Sequence, residues 1–498
     1  MNNVSYRAAE DGYFEKRSLR RHARVWSLWA LGVGAVISGQ FSGWNLGLAH
    51  AGWGGLFLAA LIIAAMYFAL CFSLAELSPA LPHTGGAYSF ARSTMGPWGG
   101  YITGLAESIE YIMTPAVIAF FIGTYLSGIF ETDASFEPVY WFGCYVLFGL
   151  LNYWGVELSF KVSVIVTVLA LCVLMVFIVS ALPHAEFSRY ALNIVRGPGG
   201  EPQLLAAGGG PLFPFGLSGA FSALPFAVWL FLGIEELPLA AEEAHDPQKD
   251  MPKGLLFGML TLLVFAVFVM VLNAAIGGNE PGQLQGAFGL STSAEPLLDG
   301  FRTLYGAGLA KLLALFAVIG LVASFHTIMF AFSRQIYSLA RAGYYMPFMS
   351  ITHGARKTPY AALITGSVIG LGVLLSTFYL RGPEQGAATI GGTLVNMAVF
   401  GAMISYACQG LSFVLLRMRM PQLPRPYRSP LGVPGAVISI LIALWTMYYQ
   451  LQDEAYVHGV YAALGWYAAG LAYFAVIGRH RLILSPEEQF ALDNSKAA

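Results

Sequence analysis

Gly34-Ala35-Val36-Ile37-Ser38-Gly39-Gln40-Phe41-Ser42-Gly43-Trp44-Asn45 lies within the first long apolar segment and sets polar and flexible residues at its middle. Lipid offers the backbone no hydrogen bonds at that depth, so a spanning segment ordinarily keeps an unbroken helical ladder. Two readings stand side by side. Gly39, Gly43 and Gly47, four residues apart, form a small-residue ridge against which another helix packs closely. Alternatively, the glycines permit an unwound segment whose freed backbone groups hold a solute near the bilayer midplane.

Composition fixes the class around that stretch. The 498 residues are 57% hydrophobic and only 11% charged, with mean hydropathy +0.65, more apolar surface than a soluble fold of this length buries. The chain reads as an all-α polytopic membrane protein. A net charge of −1 without a basic domain excludes a nucleic-acid partner. Cys71, Cys144, Cys172 and Cys408 fall in apolar runs, where they read as small hydrophobes, and neither metal nor cofactor is expected.

Apolar runs long enough to cross about 30 Å of hydrocarbon fall at 25–50, 54–78, 97–130, 139–156, 159–182, 219–240, 253–276, 305–333, 359–380, 389–416, 431–450 and 459–478, giving twelve spans. With the N-terminus inside, 21 of the 26 Lys and Arg fall in cytoplasmic segments and four, Arg189, Arg196, Arg302 and Arg381, fall outside. That bias places both termini in the cytoplasm and supports the span count. Lys311 sits near an outer helix end and snorkels.

Span 6 carries Trp229-Leu230-Phe231-Leu232-Gly233-Ile234-Glu235-Glu236-Leu237-Pro238, where Gly233 and Pro238 bracket two carboxylates. Spans 1 and 6 are thus the two conspicuously broken helices. They correspond if spans 1–5 and 6–10 are repeats, and an odd repeat length inverts the second copy in the membrane. The expected organisation is a tail (1–24), a first repeat (25–182), an outer loop (183–218), a second repeat (219–417), a linker with two extra helices (418–478) and a second cytoplasmic tail (479–498). The Gly- and Pro-rich stretch from Arg196 to Pro214 reads as a flexible connection.

Two motifs sharpen this. Ala75-Glu76-Leu77-Ser78-Pro79-Ala80-Leu81-Pro82-His83-Thr84-Gly85-Gly86-Ala87-Tyr88 follows span 2, and Ala241-Glu242-Glu243-Ala244-His245-Asp246-Pro247 with Met251-Pro252-Lys253-Gly254 follows span 6. Together they resemble signatures of the amino acid–polyamine–organocation (APC) transporter superfamily. The stretch around Gly39, with Glu110-Tyr111-Ile112-Met113-Thr114-Pro115, is most similar to the ethanolamine permease branch. The resemblance implies a leucine-transporter-type fold of five-plus-five inverted repeats, a substrate site between spans 1, 3, 6 and 8, and alternating access. It also implies an acidic residue where this chain has Gln40, which widens the substrate from ethanolamine to amino alcohols, larger amines or zwitterions. Proton-coupled relatives place a Lys in span 5 at a position that falls on Ala170 here.

Ionisable groups inside spans cost several kcal/mol each and demand partners, water or a function. They are Glu107, Glu110, Glu235, Glu236 and His326. Glu107 and Glu110 share one face of span 3; the open alternative for either is an interhelical hydrogen bond. Acidic groups without an internal Arg favour a substrate of net positive charge. The candidate binding set is Ser38, Gly39, Gln40, Phe41, Trp44, Glu110, Tyr111, Trp229, Phe231, Gly233 and Glu235. The candidate coupling set is Glu110, Glu236, Ser324, His326 and Thr327, with H+ favoured over Na+ and a structural histidine the alternative for His326. The expected activity is import of a small amine, such as ethanolamine, across the cytoplasmic membrane, with a proton-coupled amino-acid permease as the rival. A membrane-embedded enzyme is the remote alternative, since no metal-ligand or nucleophile–base pair is evident at midplane. The sequence does not indicate an oligomeric state.

Overall fold

A computed structural model describes every residue except 1–3, 8, 10, 11, 18, 20, 82, 84, 279–282, 383–385, 453–456 and 496–498. Pro82 and Thr84 of the first signature, and the tail charges Arg20 and Lys496, lie outside the described residues. Among the described residues, ten helices are long and apolar enough to cross a membrane. They are span 2 (Leu48–Ala80), span 3 (Gly86–Phe130), span 4 (Glu137–Trp154), span 5 (Val156–Ala181), span 7 (Pro247–Ala274), span 8 (Pro296–Arg341), span 9 (Tyr360–Arg381), span 10 (Gly386–Arg419), span 11 (Gly432–Gln450) and span 12 (Val457–Val476). The remaining two are interrupted. Span 1 is a helix over Val25–Val36, a turn over Ser38–Phe41 and a 3₁₀ segment over Trp44–Gly47. Span 6 runs through short helices at Gly216–Ser222 and Leu224–Val228 into a 3₁₀ segment over Ile234–Glu243.

Spans 3, 7 and 8 begin well before their apolar cores, because a helix continues into the polar region where water and side chains satisfy its first amides. Spans 3 and 8 are the two longest helices and bend early, at Gly96 and Gly306. In the stretch predicted to be a loose connection, Ile194–Arg196 pairs antiparallel with Pro202–Leu204, the Gly-Pro-Gly-Gly run between them supplying the turn.

Spans 1, 3, 6, 8 and 10 form the interior. The most apolar window of span 3 is 78% buried, against 22% for those of spans 4 and 12, and spans 4, 5, 9 and 11 present side chains such as Phe142, Val168, Val368 and Leu441 outward. An outer apolar surface of that extent belongs in lipid. Since lipid removes the hydrophobic drive between helices, contact depends on small residues and interhelical hydrogen bonds. Gly104 lies against Leu339 of span 8, and Gly401 of span 10 lies against the Ala106 carbonyl of span 3.

One end of the bundle is fastened by buried ion pairs. Glu76 of the first signature meets Arg417 at 2.6 Å and Arg425 at 3.2 Å and accepts from the Ser429 amide. Glu243 of the second meets Arg334 at 3.1 Å, both side chains fully buried, and the neighbouring Glu242 meets Arg341 at 2.7 Å. The chain termini join them: Tyr6–Arg7 pairs in parallel with Leu482–Ile483, and Glu488 binds Arg92 at 2.6 Å with Tyr6 and Tyr344 donating to its carboxylate. Each carboxylate is matched by a guanidinium, the condition under which buried charge is tolerated.

Candidate functional site

The two interruptions touch each other. A Cβ on Gly39 would stand 2.2 Å from the Trp229 carbonyl oxygen, and one on Gly43 would stand 2.6 Å from the Trp229 indole. One on Gly47 would stand 3.0 Å from Phe226. The glycine ridge and the broken helix are therefore one device: the ridge brings span 1 onto span 6 at the point where both unwind. Gly43 at φ +92° and Gly233 at φ +114° adopt left-handed backbone that residues with a Cβ avoid.

Several of the backbone groups at the interruptions have side-chain partners. The Ser324 hydroxyl of span 8 donates to the Gly34 carbonyl (2.7 Å) and accepts from the Ser38 amide (2.9 Å), inserting itself between an i and i+4 pair of span 1. Tyr125 of span 3 donates to the Phe41 carbonyl (2.8 Å) and accepts from the Leu297 amide (3.2 Å). Gln40 Nε2 donates to the Leu230 carbonyl (3.2 Å), so Gln40 joins the two interruptions. Phe41 packs over Gly320 of span 8.

The acidic groups separate into different environments. Glu235 accepts from the Gly233 amide at 3.1 Å through both oxygens, and Glu110 and Tyr406 lie near it. Tyr406 of span 10 donates to Glu110 (2.9 Å) and contacts Tyr67 of span 2 hydroxyl to hydroxyl (2.9 Å). Phe231 leans on Tyr67, ring centroids 5.7 Å apart. Glu236 is buried with neither oxygen hydrogen-bonded, and Gln40 Oε1, Trp44 Nε1 and Trp229 Nε1 are also buried without a partner. Among the described residues none of Glu107, Glu110, Glu235 and Glu236 forms an ion pair.

Glu107, one turn from Glu110, faces elsewhere. Its Oε1 accepts from the Tyr111 hydroxyl at 3.5 Å, and its Oε2 is buried without a hydrogen-bond partner. Tyr111 thereby points to Glu107 rather than to the Glu110–Glu235 pair. His326 lies on the far side of span 8. Its Nδ1 meets the Asn152 amide (3.1 Å) and its Nε2 meets the Ser159 hydroxyl (3.1 Å) and carbonyl (3.3 Å), tying span 8 to spans 4 and 5. The structure does not bring it to the interruptions.

Ser324 and Thr327 do reach span 1, where Thr167 of span 5 joins them. A Cβ on Gly34 would stand 2.6 Å from Thr167 Oγ1 and 3.1 Å from Thr327 Oγ1, and Thr167 donates to the Ala30 carbonyl (3.0 Å). The span 5 side chain against Gly34 is thus Thr167, one turn before Ala170. Thr167, Tyr67, Tyr125 and Tyr406 escaped the sequence reading because a hydroxyl in an apolar run looks like packing; only its partner on another span reveals it. No group of three His, Cys, Asp or Glu side chains fit to hold a metal occurs among the described residues.

Comparison with known proteins bears on what such a site serves. Residues 24–469 match the family model described as amino acid permease. An uncharacterized transporter of Rhizobium meliloti is 26% identical, the match covering 85% of this chain and 84% of the relative. The branched-chain amino acid permease of Bacillus subtilis is 25% identical over 84% and 85%, and the methylthioribose transporter of the same organism 21% over 94% and 96%.

Proposed function

The chain belongs to the amino acid permease family, and from that premise we propose that it is a secondary transporter importing a small amine, ethanolamine or a related amino alcohol, by alternating access. One observation carries the substrate reading: Glu110 and Glu235, buried and close together with Tyr406, stand at the glycine where span 6 unwinds, with no guanidinium or ammonium paired to them among the described residues. A primary ammonium offers three donors and a positive charge to that pair, while Gln40 Oε1 and the Trp44 and Trp229 indole N–H groups suit a hydroxyl.

We assign Ser38, Gly39, Gln40, Phe41, Trp44, Trp229, Phe231, Gly233, Glu110 and Glu235 to binding. Glu110, Glu236, Ser324 and Thr327 go to coupling, with H+ ahead of Na+. Tyr111 and His326 are better accounted for as supports of Glu107 and of the span 4–5–8 junction. The matched lengths and early bends of spans 3 and 8 support inverted repeats over spans 1–5 and 6–10. The cationic bias of the end holding both termini supports a cytoplasmic placement there.

A zwitterionic amino acid is the second reading, favoured by the branched-chain permease among the relatives. Counterflow in proteoliposomes separates the two. Labelled ethanolamine is expected to exchange ahead of alanine and arginine; exchange of alanine without ethanolamine overturns the amine reading.

A further inference from the structure

At the end of the bundle that holds the termini, away from the interruptions, the lining of a cavity of about 590 Å³ includes Arg21, Lys161, His245, Arg356 and Trp154 together with one carboxylate, Glu157. Four separate segments build it: the N-terminal segment, the corner between spans 4 and 5, the strand leaving span 6 and the loop before span 9. We infer that this cavity binds the phosphate headgroup of an anionic phospholipid.

Part of the frame that carries the basic groups is held by backbone pairing. The His22 amide donates to the Glu243 carbonyl (2.7 Å) and the His245 amide to the Ala23 carbonyl (2.9 Å), so His22 and His245 are carried on paired backbone and Arg21 directly precedes it. The Arg356 guanidinium lies 4.8 Å from the Tyr153 ring centroid, braced on an aromatic face. Lys161 has a carboxylate at 2.7 Å in Glu157, whereas among the described residues neither Arg21 nor Arg356 has one within ion-pair distance. Two unneutralised guanidiniums converge on one polar hollow, the geometry suited to a phosphate diester. Span 5 also starts here, and the positive end of its macrodipole adds to the same field.

The rim selects a lipid as the bearer of that phosphate. Trp154 is 53% exposed and Leu158 40%, and they continue the outward apolar faces of spans 4 and 5. Acyl chains lying on those faces bring a headgroup to the cavity mouth at the depth where tryptophan and basic side chains meet the membrane surface. Once seated, the headgroup joins the span 1 and span 6 ends to span 5 and the span 9 loop, so its occupancy bears on whether these ends separate.

Native mass spectrometry of the detergent-solubilised full chain tests this with dioleoylphosphatidylglycerol, dioleoylphosphatidylcholine and inorganic phosphate. The expected result is one phosphatidylglycerol retained roughly tenfold or more over phosphatidylcholine, a preference lost in R21Q/R356Q. Equal retention of the two lipids, or a preference unchanged in the double variant, overturns the inference. Thermal stabilisation by inorganic phosphate equal to that by phosphatidylglycerol overturns the lipid as its source. Should the double variant not fold, photoreactive phosphatidylglycerol on the unaltered protein decides: label in 154–161 or 353–357 supports the site, and label confined to other segments overturns it.

Discussion

The buried carboxylates at the two levels of this molecule live by different rules. At the end that holds the termini, Glu76, Glu243 and Glu488 each have a guanidinium within about the length of a hydrogen bond. Where spans 1 and 6 unwind, Glu110 accepts from Tyr406 and Glu235 from the Gly233 amide, and among the described residues neither has a cation beside it. Both sets bear the desolvation cost of burial. The first meets it permanently with protein cations and so acts as fastening; the second has no protein cation beside it among the described residues, which leaves it open to a counter-charge that can be exchanged.

Arg334→Gln strikes the fastened set hardest. It leaves Glu243 charged and alone, at a cost of about 3–5 kcal/mol, and should sharply lower the detergent melting temperature and the yield of monodisperse protein. Glu235→Gln should do the opposite: melting changes little, while ethanolamine affinity in proteoliposomes drops roughly thirtyfold or more through loss of a buried charge partner. If the two variants destabilise alike, the division between fastening and exchangeable acids fails. Tyr406→Phe removes one hydrogen bond to Glu110, about 0.5–1.5 kcal/mol, and should weaken amine binding a few-fold without abolishing exchange.

The smallest effect belongs to an intermediate case at the opposite end. Arg302 there serves two acids, Glu295 at 2.7 Å and Asp299 at 2.8 Å, and burial pushes Glu295 from 4.5 up to about 7 despite that arginine. Folded protein therefore holds a proton that unfolded chain has released between about pH 4.5 and 7, so stability declines as pH rises across that window. Glu295→Gln should flatten the decline, seen as a melting difference between pH 4.5 and pH 8 smaller by a few degrees than in the unaltered protein.

Much of the architecture was legible in the chain. Twelve apolar runs become ten continuous helices and two interrupted ones, and the interruptions fall where glycines and polar residues disturb an apolar run. What sequence spacing could not supply was direction across helices. Glu107 and Glu110 share a face by periodicity, yet Glu107 takes the Tyr111 hydroxyl one turn on along its own helix while Glu110 takes Tyr406 of span 10. Arg417 and Arg425 stand where the second repeat passes into the linker; their partner Glu76 is more than 300 residues away, and no local pattern encodes that pairing. The tail around Glu488 is polar and short, so its burial against Arg92 is visible only in three dimensions.

The Ser324 hydroxyl has a mechanical implication. A helix whose rung is completed by a neighbour's side chain is spliced rather than continuous, and a splice opens where a continuous helix would have to melt. Withdrawing span 1 from span 8 releases both Ser324 bonds in one movement, at a net cost of about 1–3 kcal/mol. That is small beside the loss of a full helical turn in lipid, where each unmet backbone group costs several kcal/mol. The first span thus carries a joint whose strength is set by a residue it does not itself contain.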